Sequence, residues 1–157
     1  MNYYSQIDPR WGGKHIGNSP TTIHAAGCAL TALTNGVNAI CKTDVKPDVI
    51  ASQDVFVPEA NNKTIVDIID WDKAAAYFGI RHDSSRDGQN DALIDQYLAD
   101  PNKFVIFQVN NGHHFVLGWK KTIFGKYQCL DSWDGKVKDV INAYHNISGC
   151  RYFSKKV

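Results

Sequence analysis

Apolar positions along this chain change their period at Pro101, recurring at helical spacing before it and alternating after it. Leu30, Leu33, Val37, Ile40 and Cys41 lie three or four residues apart, which predicts a helix opening at Cys28, weakened near its end by Asn35-Gly36. A second short helix is expected at about 45–53, with Pro47 in its first turn. Thr64 to Asp67 has the form of a capping box with Asp in the third position. The helix it would open runs through Ile68, Ile69, Ala75 and Phe78 and stops at Gly79. Asp91 to Ala99 predicts one more, closed by Asp100-Pro101. Residues 1–27, rich in Gly, Pro, Ser and Asn, read as irregular with room for one short strand.

Beyond Pro101 the runs Phe104–Val109, Phe115–Trp119, Tyr127–Leu130 and Cys150–Phe153 are β-branched or aromatic. They are split by Asn-Asn-Gly, Phe-Gly-Lys and Asp-Gly turns, with a short helix expected at 139–145. Helices first and hairpins second imply an α+β architecture, N-terminal helices packed on a C-terminal antiparallel sheet, with a cleft where the two meet.

Length and composition add bounds. The 157 residues suit one domain over 1–157, without repeats or a linker, and 43% apolar with 21% charged is the balance of an ordinary soluble globule. A formal charge of +1 gives no case for nucleic acid or an anionic membrane as partner, and Lys120-Lys121 and Lys155-Lys156 read as short solvated runs. No apolar run approaches the roughly 20 residues of a membrane span. The N-terminal residues lack the charged start and apolar core of a signal peptide, so synthesis in the cytoplasm is expected, with release to the cell wall by another route. Of the four cysteines, Cys28, Cys41, Cys129 and Cys150, none is needed as a staple, and reduced thiols are expected.

The candidate chemistry begins at Ala-Ala-Gly-Cys-Ala-Leu-Thr-Ala-Leu, where a glycine turn delivers Cys28 to the start of an apolar helix. The positive helix end favours an anion there, and a histidinium neighbour favours it further. A thiol nucleophile needs a base, a group to orient that base, and donors for the oxyanion. His113 and His114 are adjacent on an expected strand and must face opposite ways, so one of them can enter the cleft. Asp131, 17 residues after His114, could reach the imidazole Nδ1–H, whereas Asp134 beside Gly135 reads as a turn residue. The Cys28 N–H is free by helix geometry, and Gln6 is one source of a second donor.

Together Tyr-Ser-Gln-Ile-Asp-Pro-Arg-Trp (4–11), Gly-Cys-Ala-Leu-Thr-Ala-Leu (27–33), Gly-His-His-Phe-Val-Leu-Gly (112–118) and Leu-Asp-Ser-Trp (130–133) resemble the bacteriocin-processing-peptidase-like family of papain-fold cysteine peptidases. The resemblance implies a papain-like fold and a hydrolase with Cys28 as nucleophile, His114 as base, Asp131 as orienting acid and Gln6 as oxyanion-hole amide, without cofactor or metal. Free-standing relatives with the Gln-x-Asp-Pro-Arg-Trp opening resemble phage and bacterial cell-wall lysins, implying peptide or peptidoglycan substrates. Two departures stand out: 21 residues separate Gln6 from Cys28, and Ser132 follows the acid where the family usually has proline.

Two other readings use the same residues. His24 and Cys28, with His113, His114 and Cys129, are zinc-ligand types, though no Cys-x-x-Cys or His-Glu-x-x-His pairing accompanies them. Alternatively the module is catalytically idle and binds through Trp11, Trp119, Trp133, Tyr3 and Tyr4 lining a groove.

Overall fold

The computed structural model describes residues 2–58 and 65–156. A short helix α1 (Ile23–Ala26) meets α2 (Cys28–Cys41) at Gly27, and α2 is the long helix of the fold. A small hairpin of β1 (Phe56–Pro58) and β2 (Ile65–Ile69) follows, then α3 (Trp71–Phe78) and β3 (Ile80–Asp87). Next come α4 (Asp91–Ala99), β4 (Lys103–Val109), β5 (His114–Lys121) and β6 (Tyr127–Leu130). The chain closes with β7 (Val137–Asp139), α5 (Val140–Tyr144) and β8 (Gly149–Lys155). The main sheet has six strands in the order β3-β8-β4-β5-β6-β7, every neighbour antiparallel.

Alternation along the central strands sends side chains to two separate cores. Phe104, Ile106, Leu117, Leu130 and Phe153 meet Leu30, Leu33, Val37 and Ile40 of α2 on one face. Val105, Phe107, Val109, Val116, Cys129, Cys150 and Tyr152 meet Ile94 and Tyr97 of α4 and Val140 of α5 on the other. The α+β architecture is as expected, but the sheet is covered on both faces. That is why β4 is an almost unbroken apolar run.

Four segments differ from the sequence-based expectation. The box opening at Thr64 lies partly outside the described residues, and Ile65–Ile69 is a strand, with Ile68 64% exposed and Ile69 buried as alternation requires. The true cap is Asp70, whose carboxylate accepts from the N–H groups of Asp72 and Lys73. Gly79 ends α3 in the left-handed region, as expected. Over 45–53 only Ile50–Ser52 forms a turn of 3₁₀-helix. The Asn38 side chain binds both the N–H (2.8 Å) and the C=O (2.9 Å) of Val45, taking backbone groups that a helix there would use. Strand β3 is too polar to be read as one: it is an edge strand with mostly exposed side chains. The N-terminal stretch holds only an isolated bridge, His15 to Thr22, before α1.

Gly36, in mid-helix, lets α2 lie against the sheet: a Cβ there would sit 2.4 Å from the Phe104 ring. Helix propensity alone would make Gly36→Ala stabilising by about 1 kcal/mol. The clash reverses the sign, and a net loss of about 1–3 kcal/mol is expected from the overpacked contact. Urea unfolding of the two proteins checks this, and a stabilised variant would contradict it.

Candidate active site

Gly27 places Cys28. Its φ of −82° is open to any residue, but a Cβ would stand 2.6 Å from the Ile23 carbonyl oxygen, so the α1–α2 corner closes only around glycine. The half-buried Cys28 thereby occupies the first position of α2, where its N–H has no intrahelical acceptor. His114 is the first residue of β5 and Asp131 follows the end of β6. His114 Nε2 lies 2.8 Å from Asp131 Oδ1, and the ring lines the same cleft as the Cys28 thiol. The acid therefore meets Nε2 and not the expected Nδ1, which is the ring atom left for sulfur. In the β5–β6 register Leu117 pairs with Leu130, so Asp131 sits diagonally from His114. His113 is exposed in the preceding turn.

Asp131 is wholly buried and accepts from four donors. Besides His114, Oδ1 takes the Trp133 N–H (3.0 Å), while Oδ2 takes Lys138 Nζ (2.7 Å) and the Tyr144 hydroxyl. Lys138 also pairs with Asp134 at 2.9 Å, and Asp134 Oδ1 accepts from the Lys136 N–H in a turn. Ser132, directly after the acid, donates its hydroxyl to the Phe115 carbonyl (2.5 Å), and its own carbonyl accepts the backbone N–H of Gln6 (2.7 Å). Neither Lys138 nor Tyr144 was singled out from the sequence. Tyr144 falls in the expected helix over 139–145, but nothing in the pattern points Lys138 at Asp131.

The electrostatics follow from these contacts. Burial works against the charged form of His114, but its hydrogen bond with Asp131, the nearby Cys28 sulfur and the charges of those groups outweigh it and raise the ring to about 9. Burial likewise disfavours the Asp131 carboxylate. The hydrogen bonds from His114, Lys138, Tyr144 and the Trp133 N–H win, holding it well below the usual carboxylate range. Burial pushes Cys129 up to about 12 and Cys150 up to about 11, which makes both poor nucleophiles.

Gln6, Ala25, Ala26, Cys28, Asn110, His113, His114, Trp133 and Tyr144 line an open cleft of about 470 Å³. The long loop between Gln6 and α1 returns on itself through bonds from the Ile23 N–H to the Lys14 carbonyl and the His24 N–H to the Gly12 carbonyl, both 2.9 Å. Gln6 thus reaches the cleft despite its distance in sequence. Its Nε2 donates to the His24 carbonyl at 2.9 Å and lies 3.5 Å from that of Ile23, while Oε1 is buried without a partner. A larger hollow of about 640 Å³ beside β3 and β8 pairs its acids internally, Asp83 with Tyr97 and Ser154, and contains no thiol or imidazole.

The two other readings lose their residues to separate places. Cys129 is buried in the α4–α5 core, the His24 ring packs edge-on against Trp133, and no cluster among the described residues has three metal-ligand side chains together. Of the five aromatic residues, Tyr4 and Trp11 are core, Tyr3 packs on Trp119, and Trp133 alone lines the cleft.

No family model and no curated protein matches the chain. Among solved structures, a double-glycine-motif protease from an AMS/PCAT transporter, crystallised with its leader peptide, superposes with a TM-score of 0.54. The identity is 16%, over 82% of this chain and 84% of that one. At that identity the likeness establishes a shared fold, the papain-like peptidase architecture.

Proposed function

We propose that this chain is a cysteine peptidase that cuts peptide or amide bonds, with Cys28 as nucleophile, His114 as base and then acid, and Asp131 as orienting acid. The hydrogen bond between His114 and buried Asp131, with Cys28 at the start of α2 lining the same open cleft as the imidazole, carries the reading. The Cys28 sulfur, as thiolate beside the imidazolium, attacks the carbonyl carbon, and the C–S bond forms as the carbonyl electrons move to oxygen. The Cys28 N–H and the side-chain Nε2–H of Gln6 that lies 3.5 Å from the Ile23 carbonyl are the candidate oxyanion donors. His114 passes its proton to the leaving amine as the C–N bond breaks. Water, deprotonated by His114, then cleaves the thioester and returns the thiol.

The proposed substrates are the stem or cross-bridge peptides of peptidoglycan, reached after release of a protein made in the cytoplasm. Support for an extended peptide comes from the leader peptide held by the similar fold, and support for the cell wall from the lysin-like Gln-x-Asp-Pro-Arg-Trp opening. Digestion of purified peptidoglycan should therefore release new amino groups without new reducing sugar ends. Reducing ends without amino groups would point to glycoside cleavage instead.

Cys28→Ala should abolish turnover with the fold retained by circular dichroism. In the unaltered protein, iodoacetamide at neutral pH should label Cys28 ahead of Cys41, Cys129 and Cys150. Equal labelling, or an active alanine variant, would end the proposal.

The pH profile tests the charge arrangement separately. His114 must be protonated to hold the thiolate and to serve the leaving amine, so activity should fall as pH rises through about 9. Removing the cation beside Asp131 in Lys138→Met leaves the carboxylate unscreened toward His114. The imidazolium is then held more tightly, so the alkaline limb should move up while kcat falls. A limb that stays in place would assign Lys138 to packing alone.

A further inference from the structure

The hairpin joining β5 to β6 ends in Lys120-Lys121-Thr122-Ile123-Phe124-Gly125-Lys126, and the peptidase reading leaves this tip unused. Ile123 is 95% exposed and Phe124 83%, the most exposed large apolar side chains among the described residues. The turn itself holds them outward. The Thr122 N–H donates to the Lys126 carbonyl (2.8 Å), the Gly125 N–H to the Thr122 carbonyl (3.0 Å), and the Lys126 N–H to Thr122 Oγ1 (3.1 Å). Gly125 closes the turn at φ +77°, a conformation that favours glycine. Two apolar side chains at the apex of a turn closed this tightly have no route back to the core.

Their surroundings are cationic. Lys120, Lys121 and Lys126 are exposed on the two flanks, and only Lys121 is neutralised among the described residues, by Asp95 at 3.0 Å. The +1 sum over the chain, and the reading of Lys120-Lys121 as a solvated run, hide this local grouping, because the positive charge lies within seven residues that also carry the exposed Ile-Phe pair.

We infer that this tip is a docking point for an anionic lipid surface, with Ile123 and Phe124 entering the headgroup–acyl boundary and Lys120 and Lys126 meeting lipid phosphates. A bilayer accepts two projecting side chains without a shaped partner, and its anionic headgroups complement the flanking lysines. A protein partner would need about 800 Å² on each side, far more than two residues supply, and a second copy would bring like charges together. Binding would be superficial, since no helix among the described residues is long and apolar enough to cross a membrane. His114 begins β5 and the tip lies beyond its other end, roughly 25 Å along an eight-residue strand, so docking would leave the cleft open. The inference stands apart from the role of Cys28.

Co-sedimentation of the full chain with vesicles tests it, comparing phosphatidylcholine–phosphatidylglycerol mixtures with phosphatidylcholine alone at near-physiological salt. The protein should pellet with the anionic vesicles and remain free of the neutral ones. The I123S/F124S variant should lose binding by about tenfold or more, and K120S/K126S by severalfold, with thermal unfolding unchanged in both. In F124W, indole fluorescence should shift to the blue on adding the anionic vesicles. No pelleting, equal binding to neutral vesicles, or full binding by I123S/F124S would overturn the inference. A solution dimer that dissociates in I123S/F124S would overturn it in favour of self-association.

Discussion

A carboxylate shut away from water must be met by donors or it cannot remain charged, and Asp131, with no exposed surface, sets that requirement for the whole cleft. The four groups that meet it come from β5, β7, α5 and the loop after β6, so satisfying one side chain fixes four pieces of chain relative to each other. Removing one partner of such a buried pair typically costs about 3–5 kcal/mol, whereas replacing the whole set with apolar residues is often neutral or better. Stability alone therefore does not account for the cluster. Its effect is geometric: Oδ2 is occupied by Lys138 and Tyr144, which leaves Oδ1 aimed at His114 Nε2.

A second set of buried polar contacts does the same for the helix that carries the thiol. Asn35 in α2 accepts from the Tyr4 N–H (3.0 Å) and donates to the Tyr4 carbonyl (2.9 Å), and Asn38 clasps Val45 in the same two-sided way. The N-terminal segment, with Gln6 two residues further on, is thereby hung on the helix that begins at Cys28. The bond from the Gln6 N–H to the Ser132 carbonyl joins that segment to the residue after the acid. Helix, amide and acid form one connected unit although they are far apart in sequence. The Asn35-Gly36 pair, which weakens the helix when read as propensity, is on the contrary where α2 binds the Tyr4 backbone and packs tightly on Phe104.

These contacts separate what is legible in the chain from what is not. The start of α2 and the strands β4, β5 and β6 could be read because burial dictates their patterns: period four against one sheet face, near-continuous apolar character between two. Asp131 was nameable because its spacing from the histidine pair suits a hairpin, whereas the choice of His114 over His113 rested on the family resemblance alone. The nitrogen that meets the acid was not nameable, since it depends on the rotamer of the imidazole, which no residue spacing encodes. Strand β3 escaped notice because an edge strand with exposed side chains carries no hydrophobic alternation to read. The segment at 65–69 was misread because Thr64-x-x-Asp67 and Asp70 offer two similar caps, and the alternation of Ile68 and Ile69 favours the later one. Lys138 and Tyr144 left no trace for a related reason. Their meaning lies in a carboxylate on another element, and a lysine on a short exposed strand looks the same whether or not an acid stands behind it.

Strand β5 is where the two ends of the molecule's chemistry are joined. It starts with the imidazole, passes between both cores through Val116 and Leu117, and leaves the sheet as a cationic tip with two outward apolar side chains. Its middle is tightly packed: a Cβ on Gly118 would stand 2.8 Å from the Val105 side chain and 3.0 Å from the Phe107 ring, and the register with β6 shifts between Gly118 and Lys120. Paired with β4 on one side and β6 on the other, the strand ties its two ends to one sheet. Whatever the tip rests on would therefore set the direction in which the cleft faces, without any change in the geometry of Cys28, His114 and Asp131.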